Sequence, residues 1–113
     1  MISHILVPLD GSALAECVLP HVLAIAPSVN ARITLLHVLE PPRAKGGEQA
    51  IDPLEWILKK RMAEVYLDGI ARQLWEADCK VENVLLEGVP ADCVIDFSND
   101  NDVKLIILST HGR

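Results

Sequence analysis

The chain has 113 residues, 50% of them hydrophobic, and a formal net charge of −6. That is the balance of a single globular domain and excludes a disordered or fibrous chain. The acidic charge and an aromatic content of only 4% exclude nucleic-acid binding by bulk charge or base stacking.

The elements alternate along the chain. Ile5-Leu6-Val7 is a short apolar run stopped by Pro8, Asp10 and Gly11, which predicts a buried strand followed by a turn. A helix is expected from Ser12, the N-cap. Its Leu14, Val18, Val22 and Ile25 share one face. Pro20 falls inside this helix and is expected to bend it, and Pro27-Ser28 to end it. Arg32 to Leu39 predicts a second strand with Ile33, Leu35, Leu36 and Val38 in the core. Pro41 through Pro53 predicts a loop, long for a small domain. Leu54 to Ala77 predicts the longest helix, with Ala63, Leu67, Ile70, Leu74 and Ala77 as its buried stripe. Val81 to Leu86 predicts a third strand. Pro90 suits the first turn of a third helix running to about Ser98. Leu105 to Leu108, four aliphatics without alternation, predicts a fourth strand covered on both faces.

A β-α-β-α-β-α-β order calls for a parallel sheet with right-handed helical crossovers. The expected fold class is α/β, a Rossmann-like open parallel sheet in strand order 3-2-1-4 with helices on both faces. Ligands in such sheets bind beyond the carboxyl ends of the strands, where the order reverses. Two segments arrive there: Pro8-Leu9-Asp10-Gly11-Ser12 after the first strand, and Ser109-Thr110-His111-Gly112-Arg113 after the fourth.

Four stretches together resemble the universal stress protein family. They are Ile5-Leu6-Val7-Pro8-Leu9-Asp10-Gly11-Ser12, Leu35-Leu36-His37-Val38, Leu86-Glu87-Gly88-Val89-Pro90-Ala91, and Asp102 through Arg113. They occur in the family's order and at its usual separations. The resemblance implies a commonly dimeric domain, many of whose members bind ATP or AMP, with Mg2+ carried on the phosphates. It implies that Asp10 holds the ribose, that Pro8 and Leu9 line the base or sugar, and that Val38 offers its backbone to the adenine edge. Leu108 and Ser109 would lie against the nucleotide, with Thr110 and His111 in the same turn. Gly112 matches the first glycine of the family's G-x2-G-x9-G-[S/T] phosphate motif. The chemistry suits those roles. A carboxylate accepts from two adjacent ribose hydroxyls, and a glycine lets backbone N–H groups approach phosphate. Ser109 stands where many relatives carry Gly. The rest of the motif, the last helix and the fifth strand would follow residue 113, so residues 1–113 are expected to form one C-terminally incomplete domain with its fourth strand at an open edge.

The other polar residues have plainer readings. His111 reads as a loop histidine beside the phosphate turn, and His37 as a satisfied core or edge histidine. Cys17, Cys79 and Cys93 read as small buried hydrophobes, in an odd count that fits a reducing cytoplasm. No C-x2-C or H-x3-H pair points to a metal, and Lys59-Lys60-Arg61 reads as a solvated helix face. The expectation is therefore a cytoplasmic stress-response protein that binds adenine nucleotide between the first and fourth strands and acts through conformation or partner binding. It is expected to be a homodimer without nucleic-acid or membrane partners, with no catalytic residues and at most slow ATP hydrolysis. The alternative is a nucleotide-free dimerisation or interaction module of the same family.

Overall fold

Residue by residue, the strands form where β-branched and aliphatic side chains run together, and each ends at a turn former. The computed structural model describes residues 3–11, 15–41 and 52–108. Four parallel strands, β1 (His4–Leu9), β2 (Arg32–Leu39), β3 (Lys80–Glu87) and β4 (Leu105–Ile106), form one sheet in the order β3-β2-β1-β4. The expected order 3-2-1-4 is the observed one. β1 extends two residues past Val7 and carries Pro8 within it. The carbonyls of His4 and Leu6 accept from Lys104 and Ile107 on the β4 side. Pro8 follows in the same alternation, so its missing N–H faces the side where β4 pairing has already ended, and no ladder bond is lost.

The first helical region departs from expectation. A 3₁₀ turn, Ala15–Val18, precedes α1 (Leu19–Val29). Pro20 therefore occupies the first turn of α1, where no N–H is required, and does not bend it. Pro27 lies inside the helix instead of ending it, and α1 closes at Asn30, which adopts the left-handed conformation (φ 55°). Ser12 and Leu14 lie outside the described residues. α2 (Pro53–Glu76) starts at Asp52, whose carboxylate accepts from the Leu54 amide at 3.0 Å, an ordinary N-cap. Its buried residues are Ala63, Leu67, Ile70, Ala71 and Leu74. Ala77 is an exposed cap residue. α3 (Pro90–Asp100) has Pro90 in its first turn, as expected, and runs two residues past Ser98.

Alternation divides the sheet's two faces. Ile5, Val7 and Leu9 of β1 join Ile33 and Leu35 of β2 in a core with Val22 and Ala26 of α1 and Leu67, Ile70 and Leu74 of α2. Each large aliphatic so buried contributes about 1.5–3 kcal/mol. The other face carries His4, Leu6, Pro8, Thr34, Leu36 and Val38, with α3 across it. Here the His4 ring meets Phe97 edge-on at 6.3 Å. His4 Nδ1 donates to the Asn101 carbonyl at 3.0 Å, and Nε2 lies 2.7 Å from the Thr34 hydroxyl, itself 3.1 Å from a Glu82 carboxylate oxygen.

Two further expectations are corrected. β4 is two residues long and not covered on both faces: Ile106 is 38% and Leu108 51% exposed, because α3 contributes no buried residue to that side. Of the three cysteines only Cys79 is buried, while Cys93 is intermediate and Cys17 exposed. At β3, the free rim of the sheet is held by α2. Lys60 pairs with Glu87 at 2.7 Å, Asn83 donates to Asp68 at 2.9 Å, and the Trp75 indole N–H donates to the Val81 carbonyl at 3.3 Å.

Candidate functional site

The β1–β4 reversal places the ends of both strands side by side, and a cleft opens there. Its volume is about 180 Å³, and it is lined by Pro8, Leu9, Asp10, Leu36, Val38, Pro90, Val94 and Leu108. Pro8 and Leu36 are register partners and Val38 lies two residues on, so all three point to the α3 face. Leu9 has its side chain in the opposite core and meets the cleft through its main chain. Pro90 and Val94 stand one helical turn apart on α3 and form the far wall. Asp10, exposed at the end of β1, supplies the carboxylate of this mostly apolar cleft.

Pro8, Leu9, Asp10, Val38 and Leu108, all expected from the sequence, come together here. Ser109, Thr110, His111 and Gly112 lie outside the described residues. Leu36, Pro90 and Val94 were not singled out as site residues. Leu36 was within reach, because it alternates with Val38, whereas Val94 depends on how α3 docks. That docking starts at Gly88, whose φ of +148° is a conformation L side chains rarely adopt. A Cβ there would also sit 3.1 Å from Cys93 Sγ, so the β3–α3 turn that brings Pro90 to the cleft needs glycine.

The turn carrying Asp10 is braced from the opposite face. Buried His37 donates from Nδ1 to the Leu9 carbonyl at 2.7 Å, and its ring lies 5.9 Å from that of Tyr66 on α2. The bond fixes one tautomer and employs the histidine structurally, as expected. Gly11 continues the turn at φ +87°. The Tyr66 hydroxyl is buried and, among the described residues, has no hydrogen-bond partner. Its pKa is pushed up to about 12, first by burial and then by the negative charges of Glu16 and Asp10. The Gly11 amide is near enough to oppose that shift but is not aligned to satisfy the hydroxyl. Asp10 is thus felt electrostatically on both sides of the sheet.

A second, larger groove of about 440 Å³ runs between α2 and β3, lined by Arg61, Glu64, Leu67, Asp68, Asn83 and Leu85. It lies away from the strand reversal, its charges of both signs are exposed, and Arg61 is already paired with Glu64 at 3.3 Å. Among the described residues no cluster of three His, Cys, Asp or Glu side chains is placed to hold a metal. No helix among them is long and apolar enough to cross a membrane.

Comparison with known proteins identifies the family and the fold. The universal stress protein family model matches residues 1–113, and the chain belongs to that family. Universal stress protein MJ0577 of Methanocaldococcus jannaschii is 27% identical over an alignment that takes in 100% of this chain and 79% of that protein. Its solved structure superposes with a TM-score of 0.78 at 29% identity, covering 100% of this chain and 78% of that one. A family member from Burkholderia pseudomallei gives a TM-score of 0.80 at 25% identity, over 97% of this chain and 83% of that one. More distant chains share the fold. A family protein from Arabidopsis thaliana with AMP bound is 16% identical, with a TM-score of 0.72 over 97% of this chain and 77% of that one. A universal stress protein in complex with cAMP is 15% identical, with a TM-score of 0.74 over 98% and 75%.

Proposed function

From its place in the universal stress protein family, we propose that this chain binds an adenine nucleotide, ATP or AMP, in the cleft between β1 and β4. The carrying observation is the convergence of Pro8, Leu9, Asp10, Val38 and Leu108 on one cleft at the strand reversal. Solved relatives with AMP and cAMP support the ligand class. At about 180 Å³ the cleft is smaller than a typical whole-ligand pocket and suits a base and part of a ribose. The phosphates would lie outside it, with Mg2+ riding on them, and the family resemblance assigns their contacts to Ser109, Thr110, His111 and Gly112.

The residues fit the ligand chemically. Apolar walls from Leu36, Val38 and Val94 take the faces of a planar base, and the main chain at Val38 reads its edge. The Asp10 carboxylate accepts from the two ribose hydroxyls, and charge-assisted bonds of that kind contribute about 1.5–3 kcal/mol. The output is a change of conformation or partner in the stress response of the cytoplasm, and any ATP hydrolysis is slow.

Calorimetric titration of refolded, nucleotide-free protein with ATP and AMP tests this. Wild type should bind, and Asp10→Ala, with an unchanged circular dichroism spectrum, should bind about 10- to 100-fold more weakly. Absence of binding by wild type at millimolar nucleotide refutes the proposal and favours the interaction-module reading. Equal affinity in Asp10→Ala refutes the role of Asp10.

A further inference from the structure

Between the two residues of β2 that wall the cleft stands one that the cleft does not contain. Leu36 and Val38 line it, while His37 points to the opposite side of the sheet and is only 9% exposed. There its ring reaches both ends of the turn that carries Asp10. Nδ1 lies 2.7 Å from the Leu9 carbonyl oxygen, which can only accept, so Nδ1 carries the proton. Cε1 lies beneath Gly11, 3.8 Å from where a Cβ would stand. Asp10 is the single residue between these two contacts. Tyr66 of α2 packs on the ring from behind, with centroids 5.9 Å apart, so the ring is wedged between helix and turn.

A carboxylate that accepts from two adjacent hydroxyls needs close placement. Hydrogen bonds weaken steeply with angle, and an error of about 1 Å in a site can cost on the order of 100-fold. Gly11, at φ +87°, contributes no side chain to hold the turn, and the His37 ring supplies a contact there.

Resting on the nucleotide reading above, we propose that His37 is a positioning residue for the ribose. It holds the Leu9-Asp10-Gly11 turn at the distance from Leu36 and Val38 that lets one nucleoside meet the base wall and the carboxylate together. His37 touches no ligand. It belongs to the strand of the base wall and is bonded to the strand of the carboxylate, and so fixes the spacing between the two. The dependence is selective, because only a ligand with ribose hydroxyls uses Asp10.

The test is the sugar preference, the ratio of affinities for ATP and for dideoxy-ATP, which lacks both ribose hydroxyls, measured by calorimetric titration of the full chain. Two variants separate positioning from packing. His37→Asn keeps a side-chain N–H near the place of Nδ1, whereas His37→Gln moves it outward toward Nε2 but fills more of the ring's volume. A histidine that served packing alone is better replaced by Gln. Wild type should prefer ATP by at least about 10-fold, His37→Asn should keep that preference, and His37→Gln should shrink it to within about 3-fold while binding dideoxy-ATP as wild type does. Asp10→Ala should shrink it likewise, and adding His37→Gln to Asp10→Ala should remove nothing more. If His37→Gln does not hold the wild-type circular dichroism spectrum, His37→Leu, apolar and without a donor, takes its place.

A full preference in the donor-misplaced variant overturns the role of His37 alone. So does an equal loss of both nucleotides, which is the mark of packing, and so does a His37→Asn that behaves like His37→Gln. A wild type that binds both nucleotides alike, or neither, overturns the role of Asp10 or the nucleotide reading itself, and this proposal with it.

Discussion

Replacing Thr34 with valine removes one hydroxyl at the meeting point of three strands while keeping the side chain's volume nearly constant. Thr34 is 0% exposed, and its Oγ1 lies 2.7 Å from His4 Nε2 and 3.1 Å from Glu82. No cavity forms, so the packing contribution stays small. What is lost is the partner of a ring nitrogen in a residue only 2% exposed. A buried polar atom left unpaired costs about 1–3 kcal/mol. In a domain of about 100 residues that lowers the melting temperature by roughly 5–15 °C. Glu82 should matter far less. Its side chain is 53% exposed and its 3.5 Å contact with Arg32 lies at the surface, where such pairs contribute about 0–1 kcal/mol. Differential scanning calorimetry of Thr34→Val and Glu82→Gln separates the two positions. A Thr34→Val variant that melts at or above the wild-type temperature refutes the reasoning, because the buried His4 then needs no hydroxyl. A larger loss in Glu82→Gln refutes it too, by moving the important bond to the rim.

Two further outcomes follow from the same geometry. Tyr66 is the chain's only tyrosine, so tyrosinate absorbance reads it alone. Its titration should be centred near 12 instead of the ordinary 10. Because the folded pKa is raised, the stabilisation from the neutral buried hydroxyl is complete below about pH 10 and is lost as pH rises toward 12; a midpoint near 10 in folded protein contradicts the burial. Asp78, just past the α2 cap, holds φ +65°, a conformation that suits glycine better. Asp78→Gly should stabilise by up to about 1 kcal/mol in urea unfolding, and destabilisation would show that the Asp78 side chain has a native role.

Where the fold was legible in the sequence, a local pattern carried its own answer. Arg32 to Leu39 reads as a strand because seven of its eight residues are aliphatic, histidine or threonine between two turns, and those are its ends in the structure. Pro90 marks a helix start because a proline in the first turn gives up no hydrogen bond. Pro20 looked like a bend because nothing in the sequence shows that a 3₁₀ turn absorbs Ala15–Val18 and shifts the α-helix forward. Pro27 is tolerated because it sits on the exposed side of α1, where the carbonyl it leaves unpaired can reach water. Leu105 to Leu108 was read as doubly covered because an apolar run records a preference for burial and says nothing of which neighbours exist. At the site, Asp10 was legible through topology, and Val38 and Leu108 only through the family resemblance. Val94 was not, since it reaches the cleft only through the angle at which Gly88 delivers α3.

The three ties from α2 to β3 have a consequence beyond the native contacts themselves. Lys60, Asp68 and Trp75 fall roughly two helical turns apart and meet Glu87, Asn83 and Val81 in turn. Each is partly or largely exposed, so together they add little to the free energy of folding. Their effect is on what the strand does with strangers. A bare sheet rim is a template on which another chain can lay a strand, the first step toward a fibre. The indole occupies a carbonyl that such a strand would need, and the Asn83–Asp68 hydrogen bond and the Lys60–Glu87 ion pair further along β3 would have to be broken and dehydrated before one could dock. The rim of this sheet is thereby guarded against aggregation by side chains that a measurement of stability alone would rank as dispensable.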